Sequence, residues 1–441
     1  MDLTAGHVWM MVCAALVLLM TPALAFFYGG MTRAKGVLNM MMMSFVAVGL
    51  VGVVWVLWGN SMAGGGDNVA GLFGNPFTQF GMESLLNSEG LIGAGYGATF
   101  AIITVALISG AIADRARFGS WMVFAGVWAT IVYFPVAHWV FDFTLTDDDG
   151  AVTHAGGWIA NGLAAIDFAG GTVVHINAGV AGLVLALILG VRKGFGKDPS
   201  QRPHNIPFVM LGAALLWFGW FGFNGGAAGT AEEAGLIWIN TMVAPAAAML
   251  AWILTERIRD GHPTSLGAAS GVVAGLVAIT PACASVSPLG AIALGVVSGA
   301  ASALAVGLKY RFGYDDSLDV VGVHLVSGLI GTLALGFIAL PVDGAGGGLF
   351  YGGGFAQLWA QTVAAVVAII FSGVMTAIIG LAIHKTIGFR ITAEQEIAGV
   401  DLTQHAETAY EFGGLGTGGS FVPHPATSGH LKSHKKEEAK A

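Results

Sequence analysis

Asp167-Phe168-Ala169-Gly170-Gly171-Thr172-Val173-Val174-His175-Ile176-Asn177-Ala178-Gly179 decides how the chain is read. An acid and an imidazole open an apolar run that continues to Val191. If that run spans a bilayer, both groups are costly there, and ionisable residues at such depth are functional candidates. Asp319-Val320-Val321-Gly322-Val323-His324-Leu325-Val326-Ser327-Gly328-Leu329-Ile330-Gly331 repeats the design. Both stretches contain Val-His-x-x-x-Gly-x-x-Gly, running from His175 to Gly179 and Gly182, and from His324 to Gly328 and Gly331. Two acid-then-histidine helices imply a duplicated transporter with its site between the halves.

Composition sets the solvent. Of 441 residues, 55% are hydrophobic and only 10% charged, against about a quarter charged in soluble domains. The 68 glycines suit close helix packing in lipid. The net charge of −8 is therefore no argument for nucleic acid, and none is expected as a partner. Cys13 and Cys283 both lie in apolar runs and are expected to pack without a disulfide. Met1 to His7 carries no basic residue, so the first run is expected to be a retained span rather than a cleaved leader.

Eleven segments are long enough to span, at roughly 20 residues each: Val8–Tyr28, Val37–Trp58, Ile92–Ala113, Ser120–Val140, Asp167–Val191, Phe208–Ala228, Ala234–Thr255, Ser265–Ala282, Pro288–Leu308, Val320–Leu340 and Phe355–Ile383. Lys and Arg prefer the cytoplasmic side. With the N-terminus outside, all 18 Lys and Arg fall in cytoplasmic loops or the tail. The external loops then hold acids, among them Asp67, Glu83, Glu89, Asp147, Asp148, Asp149, Glu232, Glu233 and Asp343. The expected fold is an all-α polytopic membrane protein, N-out and C-in, multi-pass in the plasma membrane. Eleven spans divide as an inverted 5+5 repeat plus one long C-terminal helix. The transporter domain is expected over 1–384, with repeat one about 8–191, repeat two about 208–340 and the last helix about 355–384. An ordered cytoplasmic tail follows over 385–412, its mixed charges available to Arg192, Lys193 or Arg257. Residues 413–441 begin with a glycine-rich linker and read as a flexible end.

Two histidines on matched helices have three uses. They could bind a metal, shuttle protons or satisfy packing. A metal site needs three or four ligands, and neither His-x-x-x-His nor paired Cys accompanies them, so no metal or other cofactor is expected. A proton-handling pair in a narrow pore fits better. Asp167 heads its helix, where a carboxylate caps backbone N–H groups; substrate contact is its alternative use. Asp319 heads the second helix in the same manner. Phe100, Trp217, Trp220, Phe221 and Phe223 are interface or packing aromatics in one reading. In the other, rings at a pore mouth hold a small cation, or stack within the pore to exclude water. No phosphate loop or nucleophile elbow is present, and enzymatic activity is not expected.

Phe27-Tyr28-Gly29-Gly30, the run Ala165–Ala178, Phe221-Gly222-Phe223-Asn224, Ile279-Thr280-Pro281-Ala282-Cys283 and Asp319–His324 together resemble the ammonium transporter (Amt/MEP/Rh) family. The resemblance implies a homotrimer of eleven-helix protomers, each with a hydrophobic pore that takes up ammonium and methylammonium, with deprotonation at an outer site. By resemblance, His175 and His324 are the twin pore histidines, Asp167 the acid behind the outer site, Phe100 and Phe223 the stacked phenyl gate, and Trp220 the pore-lining Trp. The chain departs from the family at two outer-site positions. Ala227 stands where a Ser is usual, and Phe141 where the outer Trp falls, followed by a longer acidic loop. Trp158 is the alternative occupant of that aromatic position. Long-range attraction by Asp147, Asp148 and Asp149 is expected to compensate. The tail Gly388–Tyr410 resembles the family's cytoplasmic tail, which implies a PII-type signal protein as partner. Alternative functions are an ammonium sensor signalling through that tail, and a neutral gas channel of the Rh type.

Overall fold

In lipid every backbone N–H and C=O must be paired within its own segment, so long apolar runs become helices. The computed structural model describes residues 2–197, 202–342 and 346–410. Ten described helices are long and apolar enough to cross a membrane: α1 (Ala5–Met31), α2 (Val37–Gly59), α3 (Gly90–Ile112), α4 (Phe118–Phe141), α5 (Gly171–Leu189), α6 (Ile206–Gly225), α7 (Ala231–Asp260), α9 (Pro288–Phe312), α10 (Val321–Ile338) and α11 (Ala356–Thr386). The remaining expected segment is a shorter apolar helix, α8 (Ser265–Ile279). It stops early because Thr280 makes the last four-residue bond, to Leu276, and Pro281 then supplies no N–H. Helix α5 starts at Gly171 rather than at Asp167, leaving the acid free to act on the helix end. Asp343 and residues 411–441, including the expected linker, lie outside the described residues.

Helices α1 and α6 approach closely enough for their backbones to touch. A side chain at Gly222 would begin 2.7 Å from the Cys13 carbonyl, and one at Gly212 would strike the Phe27 backbone. Small residues at such crossings let dispersion and backbone contact replace the hydrophobic drive that lipid removes. Two short hairpins cover one end of the bundle, β1 (Asn68–Val69) with β2 (Phe73–Gly74) and β3 (Leu145–Thr146) with β4 (Val152–His154).

The opposite end is tied by charge. Arg192 gives two hydrogen bonds to the Asp315 carboxylate through its side chain, 2.9 and 2.8 Å, and one from its backbone, 2.7 Å. The same guanidinium reaches Asp114 at 3.2 Å, which Arg33 also meets at 3.3 Å. Arg115, fully buried, donates to the Asp315 carbonyl and the Ser317 hydroxyl. Burial works against the Asp315 carboxylate, yet the bonds and charge of Arg192 hold it below the usual range.

Onto this end fold α12 (Ala393–Ala398) and α13 (Val400–His405). Thr392 and Gln395 form a capping box that starts α12. Gly399, at φ +119°, turns the chain between the two helices against the Lys35 backbone, a conformation that a side chain would oppose. The Asp401 carboxylate then caps α2, accepting the N–H groups of Leu38 and Asn39 at 3.0 and 2.8 Å. Glu396 accepts from the Lys193 N–H and from Arg390. Of the expected partners of the tail, Lys193 meets Glu396 through its backbone N–H, and its charge also acts on Glu394. Arg192 is taken by Asp315 and Asp114, and Arg257 donates to the Gly261 carbonyl at the end of its own helix.

Candidate functional site

At the end carrying the hairpins lies a vestibule of about 300 Å³, lined chiefly by rings: Trp55, Tyr96, Phe100, Tyr133, Phe141, Phe143 and Phe168. Its floor is a pair of phenyl groups. Phe100 and Phe223 stack with centroids 4.2 Å apart and planes 18° from parallel. Tyr96 fixes the pair from both sides: its ring meets Phe100 at 4.8 Å, and its hydroxyl donates to the Phe223 carbonyl at 2.6 Å. Tyr96 went unnoticed in the sequence, although it stands one helical turn before Phe100 on the same face. Phe141 lines the vestibule 6.3 Å from Phe100, edge to face. Ala227 lines it too, presenting a methyl group. Trp158 is not among the residues that line the vestibule: it packs on Trp139 and is 37% exposed. Asp147 turns inward on its own hairpin, accepting the N–H groups of Asp149 and Ala151.

Below the phenyl pair is a second, far smaller cavity of about 10 Å³, lined by Met20, Leu24, Ile103, Leu107, Val174, His175, Leu216, Trp220, Phe223, Val273 and His324. That is room for about one water-sized molecule. The two imidazoles are nearly parallel, with centroids 5.4 Å apart, and their Nδ1 atoms meet at 3.3 Å. Both rings are buried, and the His175 Nε2 has no partner among the described residues. Trp220 stacks on His175 at 5.5 Å and 14°, held by its own N–H bond to the Thr280 hydroxyl at 2.8 Å. With both rings neutral, one Nδ1 donates and the other accepts, leaving one Nε2–H and one bare Nε2 for the chamber. The arrangement can both donate to and accept from a single small polar molecule.

The shared motif has a structural cause. Each histidine lies on an opening turn widened from α to π, Gly171–Ile176 in α5 and Val321–Leu325 in α10; such turns recur at functional sites. The glycine four residues after each histidine lets the other helix approach. A side chain at Gly179 would begin 2.7 Å from the Leu325 N–H, and one at Gly328 would begin 3.2 Å from the His175 Cβ.

The acids behave differently from the simplest reading. Both Asp167 oxygens are occupied by helix α5: one accepts the N–H groups of Gly170 and Gly171, at 2.9 and 2.5 Å, and the other those of Thr172 and Val173 and the Thr172 hydroxyl. Asp167 is thus a helix cap, and it does not line the vestibule. In the second copy the cap is Asp316, whose oxygens accept the Val320 and Val321 N–H groups at 3.1 and 2.7 Å. Asp319, which heads the apolar run in sequence, pairs instead with Lys309 at 2.6 Å. The signal was present in the spacing: His324 follows Asp316 by eight positions, as His175 follows Asp167.

Residues 8–410 match the Ammonium Transporter Family. The chain is 56% identical over 436 residues to an ammonium transporter of Mycobacterium tuberculosis, covering 92% of this chain and 90% of that one. It is 45% identical to an ammonium transporter of Aquifex aeolicus, covering 92% and 93%. Among solved structures it is similar to a sensor Amt protein, with TM-score 0.82 at 27% identity over 91% of this chain and 98% of that chain. It is also similar to Saccharomyces cerevisiae Mep2, with TM-score 0.78 at 33% identity over 88% of each. The paired histidines beneath a ring-lined vestibule therefore belong to a multi-pass plasma-membrane protein, and the chain is a member of the ammonium transporter family.

Proposed function

We propose that the protein carries ammonium across the membrane, through a pore running from the vestibule between Phe100 and Phe223 to the His175–His324 chamber. The observation that carries this reading is the chamber: two imidazoles in apolar surroundings with space for about one small molecule. Ammonium and potassium share charge and are close in size, so diameter alone cannot separate them. A bare ion in such a chamber forfeits hydration worth many kcal/mol in idealised estimates. Ammonium can avoid that cost by leaving a proton at the vestibule and crossing as ammonia, with the imidazoles as its hydrogen-bond partners. Uptake of methylammonium at limiting concentration tests the reading against a sensor without flux; uptake no faster than in cells lacking the protein would end it.

The inverted 5+5 arrangement, eleven crossings, the N-out topology, the homotrimer and the domain limits at 384 and 412 are part of the same proposal. The sorting of every Lys and Arg supports the topology. A cysteine at position 148 is expected to react with an impermeant thiol reagent in sealed cells, and one at position 197 only after permeabilisation. Labelling at 197 in sealed cells contradicts it. The contacts of α12 and α13 with the chain at Lys35, Phe118 and Lys193 support a regulatory tail that works with a PII-type protein. Truncation after Ile387 is expected to change transport or abolish such binding; if both persist, the tail is a passive extension.

A further inference from the structure

The loop that follows Phe141 builds a cluster that the pore reading does not use. Asp142 is 6% exposed and lies between two histidines. His154, on β4, meets one carboxylate oxygen through Nε2 at 2.7 Å. His138, one turn back on α4 and fully buried, brings Nδ1 to 2.9 Å from the other oxygen. That second contact lacks the alignment of a hydrogen bond, so both His138 nitrogens and Asp142 Oδ2 are buried without partners among the described residues. Asp142 stands directly behind the vestibule wall. Its neighbours in sequence, Phe141 and Phe143, both line the cavity, as does Gly64. A side chain at Gly64 would begin 3.5 Å from Asp142 Oδ1.

We propose that Asp142, with His138 and His154, is a proton-sensitive charge behind the vestibule that sets its affinity for ammonium. The inference rests on the vestibule being the ammonium entrance. With both imidazoles neutral the cluster carries one negative charge beside a cavity of apolar rings, and it attracts a cation there. One proton on either imidazole cancels that charge, and a second makes the cluster repel. Imidazole is the ordinary side chain whose charge changes between about pH 5 and 8, a range in which ammonium itself stays protonated. The other groups around Asp142 do not titrate there. Asn161 and the Gly157 N–H both donate to its carbonyl, and Gly64 offers only backbone. The nearby acids are committed elsewhere, Asp147 to its own turn and Asp67 to the Thr78 hydroxyl. The unaligned His138 contact, with three orphaned polar atoms, is where a proton converts two poor partners into a charged hydrogen bond.

The test is half-saturation for methylammonium in proteoliposomes held at fixed potential, with the vestibule side at about pH 8 and about pH 5.5. Wild type is expected to lose affinity about threefold to tenfold at the lower pH. Asp142→Asn is expected to start at the weaker affinity, because the negative charge that attracts the cation is gone. His154→Gln, at a partly exposed hairpin position, is expected to show less than half the wild-type response. Comparing variants on one pH ladder removes changes in driving force common to all. A full wild-type response in His154→Gln, or wild-type affinity at pH 8 in Asp142→Asn, overturns the proposal. If Asp142→Asn does not fold, the His154→Gln comparison decides alone. Absence of saturable uptake by wild type at either pH would instead count against the ammonium reading itself.

Discussion

His175→Ala and His324→Ala are each expected to lower ammonium flux through reconstituted protein by tenfold or more, while the protein still folds. In the chamber the passing molecule has few partners besides the two imidazoles. A buried polar group left without its partner costs about 1–3 kcal/mol, and each 1.4 kcal/mol is a factor of ten. Removing a ring also enlarges a cavity of about 10 Å³, so that water enters and the penalty on a hydrated ion falls. Discrimination against potassium should therefore weaken together with ammonium flux. Flux assays with thermal unfolding as the folding control check both points. Unchanged flux and unchanged selectivity in both variants would reduce the histidines to packing.

Asp315→Asn is expected to destabilise the protein by about 3–5 kcal/mol, the usual cost of breaking a buried ion pair from one side. The carboxylate is fully buried, and it is the main partner of Arg192 and lies near Arg115. Removing its charge leaves two buried guanidinium groups under-compensated where four segments of the chain meet. Because the folded protein holds this carboxyl below its usual range, its contribution is complete above the ordinary aspartate value of about 3.9. It is lost as the pH falls from there through the depressed folded value. Thermal unfolding in detergent at neutral pH, wild type against Asp315→Asn, checks the magnitude. A difference under about 1 kcal/mol would class the pair with exposed ion pairs.

Much of this was legible in the chain because lipid leaves few choices. Apolar runs long enough to span had to become helices; all eleven did, ten of them at spanning length. The eighth segment came out short because Pro281 ends it, a stop visible in the sequence but outweighed by the apolar residues around it. The meeting of His175 and His324 could be anticipated from the Val-His-x-x-x-Gly repeat, since Gly179 and Gly328 are what allow the two helices to approach. The assignment of Asp319 failed for a physical reason. Position at the head of an apolar run does not determine which carboxylate reaches the helix N–H groups; backbone path does, and Asp316 lies on it while Asp319 turns to Lys309. Half of the His138–Asp142–His154 cluster was legible, since His138 and Asp142 stand four positions apart at a helix end; His154 was not, because it arrives from a hairpin strand and no local spacing encodes that contact. For the same reason the expected tail partners Arg192, Lys193 and Arg257 did not include Leu38 and Asn39, which Asp401 reaches across most of the chain's length.

Selective passage of ammonium nitrogen through the histidine chamber has a direct electrical readout. It is tested most directly by recording current and internal pH on proteoliposomes during an ammonium pulse, against an equal potassium pulse. The expected record is an ammonium response well above that of empty liposomes, no response to potassium, and loss of the ammonium response in His175→Ala. An ammonium response no larger than that of empty liposomes, or a potassium response of equal size, would contradict it.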